Sequence, residues 1–175
     1  DPIKKILTGY GIDPLVNGIN ELKKNIKNKN FKYIDGYVTD NDHSFHNNDN
    51  QYNAFEKYSA LRAIELTNYS VNQNYNNNEN IKFSKNKFSI DELVKKNKIK
   101  DIDFIKTDTD GYDYEVLSGL SKTIKSNEIL GFMVECPIES WYSKENNLQN
   151  IITIMNKYGY RIYDMTLNRY SQKIF

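Results

Sequence analysis

The stretch DFIKTDTDGYDYEVLSG, Asp103 to Gly119, sets three carboxylates, Asp108, Asp110 and Asp113, around a single glycine. It opens as an apolar, strand-like segment and continues as a helix-like pattern. Carboxylates at such a junction can hold a metal, position a cofactor, act as a base or form a solvated turn. An EF-hand loop needs D-x-[DN]-x-[DN]-G and a glutamate at position twelve. With Gly111 at position six, Lys106 takes position one and Leu117 position twelve, so both end ligands are missing. The pair Asp108/Asp110 also has the D-x-D form by which some glycosyltransferases hold a metal and a nucleotide sugar, a short pattern that chance supplies often.

Other chemistry-bearing residues give weaker signals. His43 and His46 lie in DNDHSFHNN among several acids, a spacing open to metal ligation but more in keeping with a solvated loop. Cys136 sits inside an apolar run, where a thiol packs as a small hydrophobe, and no base near it is evident. Trp141 and Tyr142 follow Pro137 after a strand end and either cover a ligand or fill a loop cluster.

These residues need elements to carry them. KKILTGYGID, Lys4 to Asp13, reads as a short strand. PLVNGINELKKNIKN follows as a helix, with Leu15, Ile19, Leu22 and Ile26 at helical spacing. A second strand starts at Phe31 and ends near Asp40. Polar chain from Asn41 to Asn53 precedes a helix over Phe55 to Leu66, an asparagine-rich loop over Asn68 to Asn80, and a short strand in NIKFS. Ser89-Ile90-Asp91-Glu92 has the S-x-x-E capping box that starts a helix, here one that stops around Asn97. IDFIKT, Ile102 to Thr107, is the next strand, and helix runs from Tyr114 to about Ser126. ILGFMVEC, Ile129 to Cys136, is a continuous apolar run of the kind buried on both faces of a parallel sheet. A helix over Asn146 to Lys157 and a strand in YRIYDM complete the series. Alternating strands and helices predict an α/β sandwich with a mainly parallel central sheet, in one domain over residues 1–175.

In such sheets ligands bind beyond the carboxyl ends of the strands. Asp13, Asp40, Asp108 and Glu135 all fall at or just inside those predicted ends. A helix-capping turn explains any one of them; together they line one edge. Asp13 is the best candidate for accepting hydrogen bonds from ribose hydroxyls, with helix capping an equal alternative.

Bulk composition narrows the partners. The 175 residues carry 27% charged side chains and a net charge of +1, without the broad basic patch of a general nucleic-acid binder. The longest apolar run falls far short of the roughly 20 residues of a transmembrane helix, and no signal-peptide pattern opens the chain. A single cysteine excludes an intramolecular disulfide and fits a reducing, cytoplasmic setting.

The segments SIDELV, DIDFIKTDTDGYDYEVLSGLSKTI, ILGFMVEC and MNKYGYRIYDM resemble the FkbM-type S-adenosylmethionine-dependent methyltransferases. That family's central run has the form IDFIKIDxEGxExxVLxGA. Lys106, Asp108, Asp110, Gly111, Val116, Leu117 and Gly119 fall in register, with Asp110 in place of the usual glutamate and Asp113 as the next acid. Upstream, YGIDPLVNGINELKKN is similar to the family's second strand and following helix, and the resemblance extends from about Tyr10 to Met165. It implies a Rossmann-like methyltransferase sandwich, S-adenosylmethionine as cofactor, and O-methylation of a sugar, glycan or other small-molecule hydroxyl. It implies Asp108 and Asp110 at the acceptor, Asp13 on the ribose and Asp40 near the adenine amino group. The family's first strand and glycine-rich loop are expected before Tyr10, and only about nine residues stand there. The expectation is therefore a sheet incomplete at its N-terminus, through trimming or degeneration, with weak cofactor binding and self-association through an exposed edge. The rival expectations are a non-catalytic α/β binding or assembly module that lost its cofactor loop, and a metal-dependent glycosyltransferase using Asp108 and Asp110.

Overall fold

The computed structural model describes residues 8–26, 29–43, 82–109, 111–138 and 144–163. Strand β1 (Gly9–Asp13) leads into helix α1 (Val16–Asn25), then strands β2 (Phe31–Asp35), β3 (Tyr37–Thr39) and β4 (Lys87–Ser89). Helix α2 (Ile90–Asn97), strand β5 (Phe104–Thr107), helices α3 (Asp113–Ser118) and α4 (Thr123–Ser126), strand β6 (Gly131–Val134) and helix α5 (Leu148–Lys157) follow. The strands pair in parallel as β1 with β2, β3 with β4, and β5 with β6. Among the described residues they form three two-stranded ladders, where the sequence led us to expect one central sheet.

Several elements differ from expectation for identifiable reasons. The strand expected from Phe31 to near Asp40 breaks at Gly36, where a Cβ would meet the Phe88 ring at 2.5 Å, and the chain changes partners from β1 to β4. The described part of NIKFS, Lys82 to Ser84, supplies a bridge between Phe83 and Leu15, and β4 follows with a KFS that leads into the capping box. The helix expected from Tyr114 to Ser126 is interrupted at Gly119, which serves as the C-cap of α3. A Cβ on Gly119 would lie 2.2 Å from the Thr39 carbonyl oxygen, so only glycine lets α3 close down on β3. The Tyr160–Tyr163 part of YRIYDM is not a strand; the rest lies outside the described residues. Instead the Tyr160 hydroxyl donates to the Ile129 carbonyl at 2.7 Å, and its ring packs edge-on against Phe132 at 4.8 Å. The expected helix Phe55–Leu66 also lies outside the described residues.

The core explains the run ILGFMVEC. Ile105, Phe132 and Val134 face a cluster of Ile90, Val116, Leu117, Leu120 and Ile151. Alternate residues point the other way: Phe104 and Met133 are more than half exposed, so the run is buried on one face and not on both. The capping box forms with both halves. The Glu92 amide donates to Ser89 Oγ at 3.2 Å, and the Ser89 amide donates to the Glu92 carboxylate at 2.9 Å. Asp91, within that box, accepts from the backbone amides of Lys122 and Thr123 and from Asn41 Nδ2, tying α2, α4 and the turn after β3 together. Desolvation pushes this carboxyl up, but the hydrogen bonds from Thr123, Lys122 and Asn41 outweigh it and hold Asp91 below its ordinary value.

Candidate active site

Parallel ladders align strand ends, and here they bring acids together in pairs. Asp13 and Asp35 are register partners at the ends of β1 and β2. Thr107 and Val134 are register partners at the ends of β5 and β6, so Asp108 and Glu135 follow side by side. Asp40 comes directly after β3 and is half-buried. The four acids expected at strand ends are all there, and Asp35 joins them.

At the first pair the carboxylates shape turns. Asp13 Oδ1 accepts from the Leu15 amide at 2.7 Å, which launches α1 without a side-chain N-cap. Asp13 thus closes a turn onto Leu15, the N-cap residue of α1, and makes no side-chain cap bond to the helix. Desolvation raises its carboxyl and the Leu15 amide only partly offsets that, although the residue as a whole keeps a solvent-facing side. A carboxylate with one short bond keeps lone pairs for further donors. Asp35 Oδ2 accepts from Ser84 Oγ at 2.8 Å and Asn86 Nδ2 at 3.1 Å, and the Ser84 bond leads in holding the carboxyl below its ordinary value. Sequence reading missed Asp35 because Ser84 and Asn86 lie about fifty residues on.

The turn after β3 is stitched by side chains. Thr39 Oγ1 lies 2.7 Å from His43 Nδ1, and His43 Nε2 lies 3.3 Å from Glu92. The Asp40 carbonyl accepts from Thr39 Oγ1 at 2.9 Å. His43 thus braces the turn that presents Asp40, with a left-handed backbone at φ 51°. His46 lies outside the described residues, among which no cluster of metal-ligating side chains occurs.

At the second pair, environments diverge over five residues. Lys106 and Asp108 project from the same strand face and form an exposed ion pair. The Lys106 hydrogen bond leads in holding Asp108 below its ordinary value, with partial burial opposing and Glu135 assisting; Lys106 is raised in turn. Gly111 then turns the chain at φ 107°, a conformation that favours glycine. Asp113, in the first turn of α3, is fully buried. Its Oδ2 accepts from Thr109 Oγ1 at 2.8 Å, while its Oδ1 finds no partner among the described residues. Desolvation raises this carboxyl, and the hydroxyls of Thr107 and Thr109 only partly offset it. The Thr107 hydroxyl faces it without meeting hydrogen-bond geometry. Asn146, ahead of α5, is also fully buried, and its Oδ1 accepts from the Tyr114 amide at 3.0 Å. Asn146 could not be told from its neighbour by sequence, since Asn147 is the true N-cap of α5. Cys136 packs against the core, its thiol pushed up by burial and by Asp113 and Glu135, as suits a small hydrophobe. Asp110, Trp141 and Tyr142 lie outside the described residues.

Among the described residues, helices and small parallel ladders with carboxylates at their carboxyl ends make a mixed α/β arrangement. The Methyltransferase FkbM domain family matches residues 2–162, and the chain belongs to that family. It is a methyltransferase that uses S-adenosylmethionine and a small acceptor. No curated protein and no solved structure matches it.

Proposed function

We propose that the protein transfers a methyl group to a hydroxyl of a sugar, glycan or other small molecule, with the β5 end as the acceptor side. The observation that carries this is the contrast at that end: Asp108 is exposed and held ionised by Lys106 beside Glu135, ready to accept a hydrogen bond. When bound, S-adenosylmethionine supplies a methyl group made electrophilic by its sulfonium. Asp108 would orient the acceptor hydroxyl and take its proton as the oxygen becomes an ether, and positioning of this kind is a large part of catalysis. Asp110, two residues on, is the second residue assigned to the acceptor. Asp13 would hold the ribose hydroxyls and Asp40 the adenine amino group.

The test is labelled methyl incorporation from S-adenosylmethionine into a panel of sugar and glycan acceptors, comparing the wild type with Asp108→Asn. Loss of a general base removes on the order of 100-fold or more in rate. Undiminished transfer by Asp108→Asn would take Asp108 out of this role.

A further inference from the structure

We propose that Asp113 is the positioning residue of the acceptor side, tying the turn that carries Asp108 to the first turn of α3. The inference rests on the acceptor reading of the β5 end. Its basis is geometric. Thr109 immediately follows Asp108, and its hydroxyl donates to Asp113 Oδ2 at 2.8 Å. Thr107, the last residue of β5, is buried, and its hydroxyl acts on the same carboxyl. On the far side, Asn146 Oδ1 accepts from the Tyr114 amide at 3.0 Å, which holds the start of α3 against the loop before α5. Between Thr109 and Asp113, Gly111 takes a φ of 107°. Asp108 therefore projects from a segment pinned on both sides of its own position.

The protonation state follows from burial. Burial raises the Asp113 carboxyl and favours its neutral form, against the Thr107 and Thr109 hydroxyls and the Thr109 amide, which only partly offset it. As an acid, Asp113 can accept from Thr109 at Oδ2 and donate from Oδ1 to the Thr107 hydroxyl, and both of those last atoms otherwise lack partners among the described residues. The titratable groups that bear on it are Asp108, Lys106 and Cys136, with Glu115 on its own helix; Glu135 acts on the same lysine and thiol. The neighbouring acid Asp108 opposes a second negative charge.

The amide side chain of asparagine reproduces both functions of the neutral acid, an acceptor oxygen and a donor. The experiment uses the full chain and measures backbone hydrogen exchange over residues 107–112, together with kcat and KM on the acceptor panel. Asp113→Ala should speed exchange in that turn about tenfold while leaving residues 9–16 unchanged, and should lower kcat with little change in KM for S-adenosylmethionine. Thr109→Val, a milder change, should loosen the same turn. Asp113→Asn should recover most of the protection and the turnover. Uniformly faster exchange in all variants would reduce Asp113 to a general packing residue and overturn the proposal. Asp113→Asn behaving like Asp113→Ala, or an unchanged turn in Thr109→Val, would overturn it too. A wild type that methylates none of the panel would count against the acceptor reading, while the exchange results would still decide the role of Asp113.

Discussion

The β1–β2 end and the β5–β6 end of the molecule present carboxylates in the same way along the sequence and use them differently. At β1–β2, Asp13 and Asp35 hold turns through the Leu15 amide and through Ser84 and Asn86, beside a helix in which only Ile19 is buried. At β5–β6, the strands lie on the main core, and Asp108 and Asp113 split between water and interior. An acid over a packed core can be driven to either extreme within one turn of chain. Over the thinner layer, desolvation raises the exposed Asp13 while hydrogen bonds from Ser84 and Asn86 hold Asp35 down. The difference lies in what is packed behind the strand ends, and in the proposed function the first end takes the cofactor hydroxyls and the second the acceptor.

The comparison breaks most easily at the core. Leu117→Ala should cost about 2–5 kcal/mol in chemical denaturation, because a fully buried side chain leaves a cavity. Leu22→Ala on the exposed face of α1 should stay within about 0.5 kcal/mol. Equal costs would mean that the two layers are packed alike. Next, Asp91→Ala leaves the Lys122 and Thr123 amides without their acceptor and should cost about 1–3 kcal/mol. Because Asp91 sits below its ordinary 3.8, its contribution is present above that pH and is lost as pH falls through the lowered value. Asp113 has the opposite sign. Its raised value means that folding is favoured below 3.8 and weakened as pH rises through the folded pKa, so Asp113→Asn should gain on the wild type over that rise. Parallel pH profiles for the two positions would remove the distinction between them.

Smaller effects sharpen it further. Ser89→Ala should cost about 1 kcal/mol through loss of one half of the capping box, read by thermal unfolding. Lys106→Ala removes an exposed ion pair and should change stability by less than about 1 kcal/mol, while moving the acid limb of the activity profile upward as Asp108 loses the partner that holds it ionised.

Much of this was legible in the sequence, for reasons that particular residues make plain. The capping box at Ser89 depends on contacts three residues apart, and both halves form. The acids at strand ends were visible because parallel strands fix where their ends fall. What stayed hidden depends on distant chain. Asp108 and Asp113 look equivalent in DTDGYD, yet packing from β5, α3 and the loop before α5 leaves one wet and one buried. The need for Gly119 is set by the Thr39 carbonyl eighty residues earlier. Asp91 reads as an ordinary first-turn acid until Lys122 and Thr123 are brought to it. The one-faced burial of β6 was misread because an apolar run says nothing about what covers its second face.

The division of labour between the two ends can be tested in one titration. Isotope-labelled protein is titrated with S-adenosylhomocysteine, the demethylated product, while backbone amide resonances are followed. The account predicts the largest shifts at Asp13, Leu15 and Val16 and around Asp40 to His43, with smaller changes at Asp108 and Thr109. Largest shifts at Asp108 and Glu135, with residues 13–16 and 40–43 unmoved, would contradict it.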